Sequence, residues 1–281
     1  MNDKRLRVRG IELHMEINGD ENLPVIVFLH GFTGSTATWR EISKLLEGKY
    51  RTIAVDLTGH GKSTVPQDAE RYTMEQQIED LEELFETLLL DHFTLIGYSM
   101  GGRVALGYTV HYPERVSTLI LESSSPGLKT EEERIARKDA DRRLAERLLI
   151  SGMEAFIDFW ESISLFDSQK GLSCKKRLAV REERLSQSVM GLSNSLYAIG
   201  TGSQPSYWAE LETINLPVLL ITGEIDMKFV NIAREMMQFI PNVHHYSIKG
   251  TGHAIHVEKP RAFATMVEEH ISECENRGGI V

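Results

Sequence analysis

The feature that most constrains the fold is a series of short, nearly unbroken apolar runs, each closed by turn-forming residues. They are Val25-Ile26-Val27-Phe28-Leu29, Thr52-Ile53-Ala54-Val55, Phe93-Thr94-Leu95-Ile96, Leu119-Ile120-Leu121 and Val218-Leu219-Leu220-Ile221. A strand covered on one face alternates apolar and polar residues. A strand covered on both faces need not, so these runs suit the centre of a parallel sheet. Between them lie stretches with helical spacing. Glu75 to Leu90 places Ile78, Leu81, Leu84, Phe85 and Leu88 on one face, and Val104 to Tyr112 and Ile232 to Ile240 also read as helices. Alternation of this kind predicts a doubly wound α/β sheet with right-handed crossovers. Leu6 to Ile17 reads as two further strands about a turn at Gly10, and the more polar Val243 to Ile248 reads as an edge strand.

One region breaks the alternation. From about Lys129 to Tyr207 the chain offers no buried strand and is rich in Arg, Glu, Lys, Leu and Ala at helical spacing. Long loops without structure of their own are uncommon, so a helical lid is expected here. The expected organisation is a core in two parts, residues 1–128 and 208–281, interrupted by a lid over 129–207.

The chemistry is signalled by Gly97-Tyr98-Ser99-Met100-Gly101, placed after one strand and opening a helix. In that setting a serine sits on a tight turn, with unpaired N–H groups of the helix N-terminus aimed at any negative charge that forms there. This nucleophile elbow calls for an acid and then a histidine, in that chain order. Asp226 follows the strand ending at Ile221, and His253 lies in Gly250-Thr251-Gly252-His253 after the last strand. Both are strand ends on one side of the sheet, where such folds place their sites. His253 is expected to take the proton of Ser99, with Asp226 holding the imidazole tautomer. His256 and Glu224 are the local rivals. The backbone N–H groups of Met100 and of Phe32, in His30-Gly31-Phe32, are the expected oxyanion hole.

The charge balance limits the partners. Asp and Glu outnumber Lys and Arg by 41 to 31, a formal net charge of −10. Such a surface repels phosphate backbones and anionic lipid, so neither nucleic acid nor a membrane is an expected partner. Two cysteines, Cys174 and Cys274, do not make a disulfide framework, and no signal peptide or apolar span is visible, so a cytoplasmic location is expected. No pattern of metal ligands stands out. Gly200-Thr201-Gly202-Ser203 follows the helical region rather than a strand, which argues against a phosphate cradle. Arginines are concentrated near the elbow, at Arg103, and through the lid, at Arg134, Arg137, Arg142, Arg143, Arg147, Arg177, Arg181 and Arg184. Guanidinium forks match carboxylates in two-point geometry, so those that face inward imply a substrate with more than one carboxylate.

At the level of motifs the chain resembles the 2-succinyl-6-hydroxy-2,4-cyclohexadiene-1-carboxylate synthases of menaquinone biosynthesis, on the α/β-hydrolase fold. The matching pieces include Val27 to Gly34, Gly97 to Arg103, Glu122-Ser123-Ser124-Ser125-Pro126-Gly127-Leu128 and the arginine-rich run from Arg134 to Arg147. They continue with Phe159-Trp160, Leu165-Phe166, Gly200 to Trp208 and Gly223-Glu224-Ile225-Asp226-Met227-Lys228-Phe229. The resemblance implies an elimination in which a proton leaves a cyclohexene ring, pyruvate departs and no water is added. It implies Ser99, Asp226 and His253 as the triad, with Ser99 as the base activated by His253. Tyr98, Arg103, Arg137, Trp160, Phe166 and Arg181 become expected contacts to a small tricarboxylate substrate. No cofactor and no metal are expected, and a monomer is the expected state. A serine esterase or C–C bond hydrolase with the same triad acting on a carboxylate-bearing substrate, and a non-catalytic binding protein on the same scaffold, are the alternatives.

Overall fold

The computed structural model describes residues 2–278. Its eight strands are β1 (Asn2–Val8), β2 (Ile11–Asn18), β3 (Val25–Leu29), β4 (Arg51–Val55), β5 (Phe93–Tyr98), β6 (Val116–Glu122), β7 (Val218–Gly223) and β8 (Val243–Ile248). They form one sheet in the order β1-β2-β4-β3-β5-β6-β7-β8. Strand β2 runs antiparallel to β1 and β4, and every other pairing is parallel. All five apolar runs are central strands, and the polar run ending at Ile248 is an edge. The helices are α1 (Arg40–Leu45), α2 (Met74–Thr87), α3 (Met100–His111), α4 (Glu131–Ser162), α5 (Cys174–Leu185), α6 (Val189–Ile199), α7 (Met227–Met236), α8 (Ile255–Glu258) and α9 (Pro260–Gly278).

Successive residues of the central strands feed opposite cores, as the two-residue period of a strand requires. Val27, Leu29, Leu95, Leu121 and Leu220 pack with Ile78, Leu81 and Phe85 of α2, Val104 and Tyr108 of α3 and Met236 of α7. Ile26, Phe28, Ile96, Ile120 and Leu219 pack on the other face with Ile42 of α1 and Phe263, Val267 and Ile271 of α9. Helices α3 and α7 begin earlier than the apolar spacing indicates, at Met100 and Met227 rather than near Val104 and Ile232. Their first turns carry Arg103 and Lys228, which line a cavity instead of the core, so these turns lack the periodic signal.

Between β6 and β7 the chain is helical, running through α4, a 3-10 segment at Ser164–Gly171, α5 and α6. Thr130 and Glu133 close a capping box at the start of α4. Gly152 breaks α4 into two arms at φ 77°, a backbone state that glycine adopts without a Cβ penalty. Leu148, Phe156, Ile157 and Leu192 form a separate small core, against which Phe32 and Trp160 pack. The insertion therefore closes onto the loop after β3. No helix among the described residues is long and apolar enough to cross a membrane.

The β5–α3 turn is pressed hard against β3. A Cβ on Gly101 would stand 2.3 Å from the Leu29 carbonyl oxygen and 2.5 Å from that of His30. Both are backbone atoms of a central strand and its exit, so neither can yield cheaply. Gly101→Ala is expected to lower unfolding free energy by about 1–3 kcal/mol or more. Urea denaturation against wild type measures it, and an unchanged midpoint would contradict the packing.

Candidate active site

Ser99 caps α3 with φ 51° and ψ −107°, outside the regions comfortable for a residue with a Cβ. Its N–H donates to the Glu122 carbonyl on β6 at 2.9 Å, and its carbonyl accepts from Arg103 N and Ser124 Oγ, both at 3.1 Å. The strained turn is thus held from two elements. Ser99 Oγ lies 3.0 Å from His253 Nε2, and His253 Nδ1 lies 2.6 Å from Asp226 Oδ2. With Nδ1–H donating to the Asp226 carboxylate, Nε2 is left as the acceptor facing the serine hydroxyl. The rings of Phe229, Tyr98 and Phe166 surround the imidazole, at centroid distances of 4.7, 5.3 and 6.2 Å.

The two rivals are occupied elsewhere. Glu224 accepts from Gly250 N at 2.9 Å and so tethers the histidine loop. His256 is wholly buried, with Nδ1 on the Glu122 carboxylate at 2.8 Å and Nε2 on Thr38 Oγ1 at 2.9 Å. A second carboxylate tie, Gly252 N to Glu258 at 3.0 Å, fixes the same loop. On the opposite side, His30 Nε2 accepts from Leu57 N at 3.0 Å while its Nδ1 meets the Gly31 carbonyl at 2.8 Å. These bonds define a neutral tautomer, and burial holds the His30 pKa below its ordinary value. The ring pins the loop that carries Phe32. His60, whose ring is tilted beside it at a centroid distance of 5.1 Å, is pushed down to about 3 by burial.

Ser99 and His253 open into a cavity of about 180 Å³. Phe32, Tyr98, Met100, Arg103, Arg137, Trp160 and Phe166 all line it, so the structure brings these expected residues together. Met100 is the first residue of α3, where an N–H has no partner within the helix. Arg103 is nearly buried, and Nη1 donates to the Ile199 carbonyl at 2.8 Å and to Gln204 Oε1. Burial, reinforced by Arg137, brings its pKa down to about 10. Arg137 pairs with Asp141 at 2.8 Å. Burial raises the Tyr98 hydroxyl well above its ordinary value, so the phenol stays neutral.

Arg181 is a correction. It is absent from the cavity lining and pairs instead with Asp158 and Glu161, at 2.6 and 2.8 Å. One helical turn further, Arg184 is buried, with its guanidinium 4.6 Å from the Phe166 ring. Arg181 and Arg184 are both cations of α5 at helical spacing, and the amino-acid pattern alone does not show which turns inward. The residue-level reading also missed Lys228, Ser125 and Thr201, which line the cavity. For Lys228 a signal existed: a cation in the first turn of a helix opposes the helix dipole and so calls for another reason to be there.

Among the described residues one group, Asp3, His14 and Glu16, brings potential metal donors within 4.8 Å of one another. Lys62 already pairs with Asp3, and Arg40 with Glu16, each at 2.6 Å. The group lies outside the cavity, so it offers no metal to the site.

A family model described as alpha/beta hydrolase fold matches residues 24–260. A Bacillus subtilis (strain 168) protein assigned as a 2-succinyl-6-hydroxy-2,4-cyclohexadiene-1-carboxylate synthase is 44% identical over 94% of this chain and 96% of its own length. The chain belongs to this synthase family within the α/β-hydrolase fold. Another such synthase, from Enterobacter sp. (strain 638), is 30% identical over 89% of this chain and 93% of its own. The solved structure of MenH from S. aureus superposes with a TM-score of 0.89 at 37% identity, covering 93% of this chain and 98% of that one.

Two outcomes follow for this synthase-family site. Asp226→Asn keeps the shape but presents the wrong histidine tautomer, and turnover is expected to fall on the order of 10,000-fold with an unchanged circular dichroism spectrum. Near-normal turnover would remove Asp226 from the relay. For His60, the folded pKa of about 3 lies below the 6.5 of an unperturbed imidazole. The unfolded chain therefore binds the extra proton, and stability falls as pH drops below about 6.5, by about 2 kcal/mol at pH near 5. Urea unfolding across this window should give a flatter profile for His60→Gln than for wild type; equal slopes would contradict the assignment.

Proposed function

We propose that the chain is a carbon–oxygen lyase of menaquinone biosynthesis. It converts 2-succinyl-5-enolpyruvyl-6-hydroxy-3-cyclohexene-1-carboxylate to 2-succinyl-6-hydroxy-2,4-cyclohexadiene-1-carboxylate and pyruvate. The observation that carries this reading is the wall of cations, Arg103, Arg137 and Lys228, in the same cavity as the Ser99–His253 pair. A tricarboxylate loses much hydration on entering such a space, and fixed cations offset that cost.

Substrate and product differ by one ring proton and one ring–oxygen bond. The carbon bearing the succinyl group becomes part of the diene, so the proton leaves from that carbon, which the neighbouring ketone makes acidic. Ser99 Oγ accepts it while its own proton passes to His253 Nε2, and Asp226 stabilises the imidazolium. The ring double bond shifts, and the enolpyruvyl C–O bond breaks at the ring. The departing enolate takes a proton back and ketonises to pyruvate. Negative charge gathers on the succinyl ketone oxygen as the proton leaves, and the N–H groups of Met100 and Phe32, two residues of the cavity lining, are the proposed donors to it. The reaction is redox-neutral and adds no water, so it calls for no cofactor.

Aromatic packing supports the same reading. Phe32, Phe166 and Trp160 wall the cavity and limit water, which would otherwise compete. Trp160 Nε1 is buried without a hydrogen-bond partner among the described residues. Such a donor costs about 1–3 kcal/mol, and a substrate oxygen placed against it recovers that energy. Action as a cytoplasmic monomer is part of the same proposal. An esterase or C–C hydrolase acting on a carboxylate-bearing substrate would share both the triad and the cation wall, and differs in adding water to its product.

The test follows pyruvate release and diene absorbance together. Wild type is expected to form both in equal amounts. Ser99→Ala is expected to be slower by about 100- to 10,000-fold. Arg103→Met is expected to raise KM by about 10- to 100-fold, the loss of one charged contact. No release above the spontaneous background, with ester cleavage in its place, would overturn the reading.

A further inference from the structure

Lys228 stands at the second position of α7, two residues after Asp226, and lines the cavity that holds Ser99. A cation there meets the positive end of the helix dipole, which disfavours it. The nearby carboxylates are engaged elsewhere. Asp226 is bound to His253 at 2.6 Å, and Asp141 serves Arg137 at 2.8 Å and Gly202 N at 3.3 Å. Among the described residues Lys228 makes no ion pair of its own; its ammonium lies 5.3 Å from the centroid of the neighbouring Phe229 ring. Its side chain keeps open surface, yet the protein around the ammonium desolvates it and, with Arg137 as the next contribution, lowers its pKa. Two like charges thus face one small space, and the carboxylates beside them, Asp141 and Asp226, are each held by another partner.

We propose that Lys228 is a specificity-determining residue, which together with Arg137 holds one carboxylate of the substrate at the α7 side of the cavity. This rests on the lyase reading for the identity of the substrate, but not for the binding itself. A carboxylate at this point screens the repulsion between the two cations and gives Lys228 the direct ion-pair partner it lacks among the described residues. Arg137 offers a fork already steadied by Asp141, while Lys228 offers a point charge on a flexible stem. A neutral ester leaves the repulsion in place, so the pair selects for anionic substrates.

The test uses the full-length protein with Lys228→Met, which removes the charge, and Lys228→Arg, which keeps it. In the pyruvate-release assay Lys228→Met is expected to raise KM by about tenfold or more while kcat stays within about threefold. Lys228→Arg is expected to recover most of that loss. The charged groups facing the ammonium are Arg137 and Asp141 from α4 and Asp226 at the head of its own helix. Of these and Lys228, the lysine alone changes charge in alkaline solution. Wild-type KM should therefore climb as pH rises through the lowered lysine pKa, with Arg103 of the same cavity adding its own part near 10, and the climb should be smaller in Lys228→Arg. Calorimetric titration with citrate, a tricarboxylate probe, reads the site without turnover and should weaken about tenfold in Lys228→Met. A KM and citrate affinity within about twofold of wild type would overturn the proposal, as would a loss confined to kcat. Absence of pyruvate release from wild type, with citrate binding still dependent on Lys228, would sink the lyase reading and leave this one standing.

Discussion

The structure depends on one constrained turn. Ser99 is held at positive φ between β5 and α3, its N–H on the Glu122 carbonyl and its own carbonyl taken by Arg103 N and Ser124. The cost of that conformation is met by the parallel ladder on both sides and by the close approach of Gly101 to β3. Glu122 links this turn to the rest of the site. Its backbone carbonyl holds the serine, and its buried carboxylate holds the ring and N–H of His256, three residues beyond His253. Ser99 and the His253 loop are therefore both anchored at the same strand end, consistent with a serine–imidazole contact already made at 3.0 Å.

Charge is arranged on two scales. The chain as a whole carries −10, yet Arg103, Arg137 and Lys228 converge on a single cavity. Long-range repulsion between an acidic protein and an anion is screened within roughly 10 Å at ordinary salt, whereas contacts inside a desolvated cavity are screened far less. Local cations can therefore prevail over the net charge. The aromatic lining acts in the same direction, since each water it excludes strengthens the remaining electrostatic contacts. Carboxylates elsewhere in the site are committed to structure: Glu224 and Glu258 tie down the histidine loop, and Asp141 steadies Arg137.

Much of this was legible in the amino-acid order because the relevant signals are local. The apolar runs report double-sided burial directly, and the elbow glycines report a crowded turn. Asp226 and His253 follow from strand ends once the sheet is recognised. Signals that depend on how helices pack were not legible. Arg181 and Arg184 share composition and spacing, and only the packing of α5 against the Phe166 segment decides which is buried. The early starts of α3 and α7 were hidden because their first turns face the cavity and carry no apolar stripe. The break at Gly152 was equally silent, since a glycine within a helical pattern does not announce its φ.

In the proposed reaction the Ser99–His253 pair removes a proton from carbon, whereas a hydrolase built on the same three side chains would add water. Substrate carrying deuterium on the ring carbon that bears the succinyl group tests this most directly, with the product examined by proton and deuterium NMR. Deuterium is expected to be lost completely from the product ring in wild-type turnover. Retention of deuterium on that carbon, with pyruvate still released, would contradict it.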